Sequence, residues 1–213
     1  MKNKMWFNVI MTIVGILFIL SFAVTVVLYF RPLYYHDIKS LDIESHSGYN
    51  EEEIRENYDV LIDYNTFFGP DKLEFPTLPM SEPAEIHFEE VKHILLFFQY
   101  GLLVSLPLLI IGIIFSRKWN LFGWMRYADM ALATLVVLVV GYMAIDWDGF
   151  FVFFHKLMFR NDYWFFDYET DPIILMLPDE FFMHFGILMI VIVVVEMLLV
   201  WFGDRIFRKK EMS

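Results

Sequence analysis

Four apolar runs dictate what this chain can become. Trp6 to Phe30 is uninterrupted over 25 residues, enough for a helix to cross a hydrocarbon core of about 30 Å. A second run extends from about Ile94 to Phe115, and a third from about Met130 to Ile145 with a start as early as Trp124. The fourth extends from about Phe181 to Phe202. Backbone immersed in lipid must satisfy its own hydrogen bonds, so each run reads as a helix. The first is too long for the apolar core of a cleavable leader, and no small-x-small site follows it, so its retention is expected. Pro107 predicts a kink in the second. Gly15, Gly101, Gly112 and Gly141 read as helix-packing positions. Hydrophobic residues at 58% of 213 exceed what a soluble domain carries. The expected fold is a membrane all-α protein with four transmembrane helices and a mixed extracytoplasmic cap of helix and short strands.

Charge sets the orientation. The net charge of −11 is concentrated between Asp37 and Glu90, with Glu51, Glu52 and Glu53 in a row. The short basic segments are Lys2 and Lys4, then Arg117, Lys118 and Arg126, then Arg205, Arg208, Lys209 and Lys210. With four spans all three fall on one side, the cytoplasmic one by the positive-inside rule. Arg31 and Lys92 weaken the bias without reversing it. The chain therefore divides into an N-terminus and first helix (1–30), a cap (31–92), the second and third helices with their cytoplasmic loop (93–145), an aromatic interfacial segment (146–180), and the fourth helix with a basic tail (181–213). Localisation in the cell membrane as a multi-pass protein follows, with both termini cytoplasmic and the cap outside.

Within the cap, Pro32 biases Arg31 towards extended backbone. Asn50 followed by Glu53 fits a capping box, and Ile54, Tyr58, Leu61 and Ile62 recur at helical spacing, predicting an amphipathic helix of about 14 residues. Pro70, Pro76, Pro79 and Pro83 make the next segment turn and extended chain. A helix then starts near Ser81 and carries His87 into the second span. The segment from Asp146 to Glu180 is too polar to be buried in lipid and too aromatic for an ordinary loop, so it reads as interfacial.

Candidate chemistry centres on two of the six histidines. In HFEEVK, Glu90 lies three residues from His87 on one helical face, where a carboxylate either orients the imidazole or forms a solvated pair with it. His155, inside FFVFFHKLMF, is an ionisable ring in an apolar setting. It is either functional or held by a backbone carbonyl. His184 reads as structural. His36 and His46 lie in polar chain, and His93 faces away from His87. No cysteine is present, which removes disulfides and any thioester intermediate. His87 and His93 have the wrong spacing for two zinc ligands on one helical face, so no metal site and no cofactor are expected. No GxSxG elbow occurs, and Ser81 and Ser105 lack such a setting. Asp129 and Glu196 are too isolated for an ion relay.

The segment FP-x-L…SEPAEIHFEEVK (Phe75 to Lys92) and FHKLMFRNDYWFFDYETDPIILMLPDEFF (Phe154 to Phe182), together with four spans, resemble the lipoprotein intramolecular transacylases of Gram-positive bacteria over the whole chain. Met158 replaces an aromatic of the family pattern, and Glu90 stands where that pattern has aspartate. The resemblance implies transfer of the sn-2 acyl chain of a diacylglyceryl group to the α-amino group of the lipoprotein's N-terminal cysteine, giving a lyso-form lipoprotein. It implies His87 and His155 as catalytic groups, with Glu90, Phe154, Arg160, Trp164 and Asp171 supporting them or binding substrate. The partners implied are diacylglyceryl-modified lipoproteins and membrane lipid, with no nucleic acid. A lipid or lipoprotein ester hydrolase and a non-enzymatic adaptor with an acidic external cap are the alternatives. For the topology, a reporter fused at Ser213 should read cytoplasmic and one inserted near Gly48 external; an external C-terminus would defeat the four-span arrangement.

Overall fold

The computed structural model describes residues 2–209, so Lys210, the last base of the expected tail cluster, lies outside the described residues. The helices in chain order are α1 (Lys2–Tyr29), α2 (Arg31–Ser40), α3 (Ile43–Ser47), α4 (Glu51–Tyr64), α5 (Glu82–Trp119), α6 (Gly123–Ile145), α7 (Trp147–Met158), α8 (Ile173–Met176) and α9 (Asp179–Lys209). Among the described residues α1, α5, α6 and α9 are long and apolar enough to cross a membrane. The protein is integral to the membrane and all-α. The short strands expected in the cap do not form among the described residues.

The chain divides into two compact units. The first contains α1 as far as Thr25, Phe98–Ile145, and α9 from Met189 onward. Its helices approach closely where side chains are smallest. A Cβ on Gly101 would lie 2.6 Å from Ser21 Oγ, and one on Gly112 would lie 2.1 Å from Met11 Cε. Gly15 lies under the Trp124 ring, whose Nε1 donates to Ser116 Oγ at 3.1 Å. Gly141 differs: among the described residues nothing lies within 4 Å of its would-be Cβ. α5 stays helical through Pro107.

The second unit, Val26–Phe97 with Asp146–Leu188, contains the candidate site residues. Its core is a ring stack. Tyr34 lies face to face with Tyr58 at 3.7 Å, and Phe181 meets both edge-on at 5.0 and 6.0 Å. The Tyr34 hydroxyl donates to the Met176 carbonyl at 2.7 Å, satisfying a buried acceptor. Two ionic contacts complete the frame. Arg31 pairs with Asp59 at 2.8 Å and also with Asp63. Buried Asp37 accepts from His184 Nδ1 at 3.0 Å to each oxygen and from Ser40 Oγ at 3.2 Å, consistent with a structural reading of His184.

Local signals explain most of the helix starts. Asn50 Oδ1 accepts from the Glu53 amide at 3.0 Å and opens α4. Asp146 caps α7 by accepting from the Gly149 amide at 2.9 Å. The segment after Arg31 is helical rather than extended. Pro32 occupies the first turn of α2, where its missing N–H costs no hydrogen bond and its fixed φ suits a helix, and this outweighs the bias on the preceding residue.

Candidate active site

Both histidines singled out from the sequence belong to the second unit and face one another. His87, in the second turn of α5, is 7% exposed. His155 occupies the last turn of α7. Their ring centroids are 6.1 Å apart. Hydrogen bonds of about 3 Å to a ring nitrogen on each side would let one reacting group touch both.

Aromatic rings enclose the pair. Phe159 meets His87 edge-on at 4.6 Å and lies 5.8 Å from His155, so it touches both rings. Phe166 meets His87 edge-on at 5.5 Å. Trp164 stacks on His155 at 4.8 Å and 30°, while Phe151 packs at 4.2 Å and Phe154 edge-on at 5.6 Å. Phe154 is also partly exposed.

The hydrogen-bond pattern fixes one tautomer. His155 Nδ1 lies 2.8 Å from the Phe151 carbonyl, which can only accept, so Nδ1 carries the proton and the neutral ring's lone pair resides on Nε2. Burial pushes the His155 pKa below the ordinary imidazole value, only partly opposed by that hydrogen bond, so the ring favours its neutral form. His87 Nδ1 is buried and has no hydrogen-bond partner among the described residues. A polar atom left so inside a protein costs free energy unless something else engages it.

The supporting residues act at one remove. Asp171, 3% exposed, accepts from the Ser81 amide at 2.7 Å and, through its other oxygen, from the Ser81 and Thr170 hydroxyls at 2.8 Å each. Ser81 Oγ in turn accepts from the Ala84 amide at 3.3 Å. Asp171 therefore fastens the loop after α7 to the start of α5, two turns ahead of His87. Glu90 does not bond to His87 as the spacing suggested. Its carboxylate instead accepts from Asn161 Nδ2 at 2.9 and 3.2 Å. The His87 ring turns into the aromatic enclosure, where a charged carboxylate would lose its hydration. Asn161 carries that contact onward. Its side-chain oxygen accepts from the Tyr163 amide at 3.1 Å, and its carbonyl accepts from Trp164 Nε1 at 3.2 Å. Glu90 thus holds the turn that places Trp164 against His155. Arg160 is exposed and makes no ion pair among the described residues. Sequence reading missed Asn161, Phe159 and Phe166. The Arg-Asn-Asp turn among aromatics was the available signal for the first. Among the described residues no group of three His, Cys, Asp or Glu is arranged to hold a metal ion.

A family model described as lipoprotein intramolecular transacylase Lit matches residues 9–182. The chain belongs to the lipoprotein intramolecular transacylase family. It is similar to the solved structure of the membrane-integral Lit from Bacillus cereus, with 35% identity, a TM-score of 0.93, and coverage of 100% of this chain and 99% of that one. Two variants of that protein, with a histidine replaced by arginine or by alanine, are each 34% identical with TM-scores of 0.86; the matches cover 99% and 100% of this chain, and 94% and 97% of theirs. No curated protein sequence matches. The chain is accordingly an acyl-transferring enzyme of the membrane, and the hydrolase and adaptor readings are not favoured.

Glu90→Gln keeps an oxygen that the Asn161 amide can reach, whereas Glu90→Ala keeps none. The alanine variant should lower turnover about tenfold, a magnitude typical of groups that orient a functional side chain, and glutamine should retain most activity. Equal losses, read as product yield at matched folded protein, would make the carboxylate's charge the important property.

Proposed function

We propose that His87 and His155 together transfer the sn-2 acyl chain of a diacylglyceryl-modified lipoprotein to the α-amino group of its own N-terminal cysteine. The observation that carries this assignment is the His155 Nδ1–H bond to the Phe151 carbonyl beside a buried, unpartnered His87 nitrogen. His155 is thereby supplied with a free lone pair at Nε2, the form a general base requires.

The reaction needs little else. The neutral amine attacks the ester carbonyl, and His155 Nε2 takes the proton that the nitrogen loses. The tetrahedral centre collapses by breaking the bond to the glyceryl oxygen, which leaves with that proton as an alcohol. The amide forms, and the His155 imidazole returns to neutrality. His87 stands where it can donate to the developing oxyanion, a role that would give its buried Nδ1 a partner during the reaction. Nucleophile and ester belong to one molecule, so the protein's task is to fold the lipid into a productive geometry and protonate in the right order. The rings of Phe151, Phe159, Trp164 and Phe166 suit the apolar part of that substrate and limit water that would hydrolyse the ester.

The distribution of basic residues supports a topology in which this site faces the extracytoplasmic side and both termini are cytoplasmic. Diacylglyceryl lipoproteins would then approach from the outer leaflet.

A general acid-base group contributes about 10²–10⁴-fold. His155→Asn should therefore leave folded protein with at most about a hundredth of the wild-type rate. The measurement is lyso-form yield from a co-expressed lipoprotein by mass spectrometry of its N-terminal peptide, with melting in detergent as the folding control. Near-normal yield would assign His155 to the scaffold, and release of free fatty acid in place of amide would make the enzyme a hydrolase.

A further inference from the structure

Among the described residues of the second unit, one large hydrophobic side chain stands fully open to its surroundings, with only the ring of Phe67 beside it at 6.5 Å. Phe68 is 100% exposed, at the tip of a turn closed by the Gly69 amide donating to the Thr66 carbonyl at 3.0 Å. Gly69 permits this turn because a Cβ there would lie 2.2 Å from the Asp63 carbonyl and 2.5 Å from that of Tyr64. The tip is therefore tightly built, and it presents an aromatic ring.

Two tethers fix its level. On one side Asp63, which immediately precedes Tyr64 and the turn, pairs with Arg31. Arg31 follows the membrane-crossing stretch of α1, which ends at Tyr29, by two residues. On the other side Lys92 Nζ donates to the Pro70 carbonyl and lies 4.1 Å from the centroid of the Tyr64 ring. Lys92 precedes the apolar run of α5, which begins at Ile94, by two residues. Two residues of helix rise only about 3 Å. Both tethers thus belong to the boundary between hydrocarbon and headgroups, where Arg and Lys place charge in the polar layer and carbon stems in the apolar one. Exposed Phe30, between α1 and α2, and exposed Phe97 on α5 mark the same boundary.

From this bracketing we propose that the turn 66–69 is a membrane-inserted anchor, with Phe68 in the interfacial layer of the bilayer. A fully exposed phenylalanine is unfavourable in water and favourable among acyl chains, and interfacial segments bury Trp, Phe and Leu at the headgroup–acyl boundary. The occupant is the lipid surface itself. Its consequence for the enzyme runs along the following segment: Phe75 packs edge-on against Phe88 at 5.9 Å, and Phe88 lies 5.4 Å from Phe166 of the site. An anchored turn would hold the start of that segment at the bilayer from which a lipid substrate arrives.

The chain lacks cysteine, so a single introduced thiol can carry a nitroxide without background. The full-length Phe68→Cys and Glu52→Cys proteins, spin-labelled and reconstituted in liposomes of phosphatidylethanolamine and phosphatidylglycerol, are compared by power saturation. Neither replacement removes core packing, since both side chains are exposed. Glu52, in the opposite end of α4 from Tyr64, serves as the aqueous reference. The label at 68 should collide more with oxygen than with a water-soluble nickel chelate, and the label at 52 should show the reverse order. A label at 68 reached by the nickel chelate as readily as the one at 52 would overturn the proposal.

Discussion

A buried imidazole nitrogen without a partner is the constraint around which the second unit is arranged. Leaving such a polar atom unsatisfied costs about 1–3 kcal/mol, and no protein group among the described residues hydrogen-bonds to His87 Nδ1. The surroundings account for its persistence. Phe159 and Phe166 close the ring in, and Glu90, three residues along the same helix, is drawn away to Asn161. An acidic partner would turn His87 towards a permanent cation and leave it less able to donate and accept in turn. Apolar enclosure keeps the site ready for a substrate group.

Placement of the second histidine depends on the opposite device, a fully satisfied nitrogen. His155 Nδ1 is committed to the Phe151 carbonyl one helical turn earlier, so the helix itself chooses the tautomer. Outside α7, Trp164 covers the ring face and is held in turn by Asn161. Asp171 ties the same loop to the start of α5. These polar contacts lie outside the imidazole pair; they hold the two rings, from separate helices, at one separation. Proximity of that kind matters most in an intramolecular transfer, in which positioning supplies much of the rate.

The sequence made the spans legible because length and apolarity alone decide whether a helix can cross lipid, and α4 was legible because Asn50 and Glu53 carry its cap in their side chains. The helix after Arg31 was not, since two rules about Pro32 compete, and its fit to a first helical turn prevails over its bias on Arg31 together with the packing of Tyr34 against Tyr58 and Phe181. His87 and His155 stood out as ionisable groups in apolar company. Their separation by 6.1 Å, the redirection of Glu90 and the part played by Asn161 arise from contacts between segments about 70 positions apart. Local spacing carries no record of them. Gly141 makes the same point: a small residue in a span resembles a packing position until a neighbouring helix is found or is not.

Joint action of the two imidazoles on one transition state is tested most directly by combining His87→Asn with His155→Asn and comparing initial rates of lyso-form production with each single variant at matched folded protein. Groups that work as a unit are strongly non-additive. The double variant should be no slower than the slower single variant, because loss of either ring already removes the shared function. Losses that multiply, with the double variant slower by the product of the two single effects, would contradict a shared site and make the histidines independent contributors.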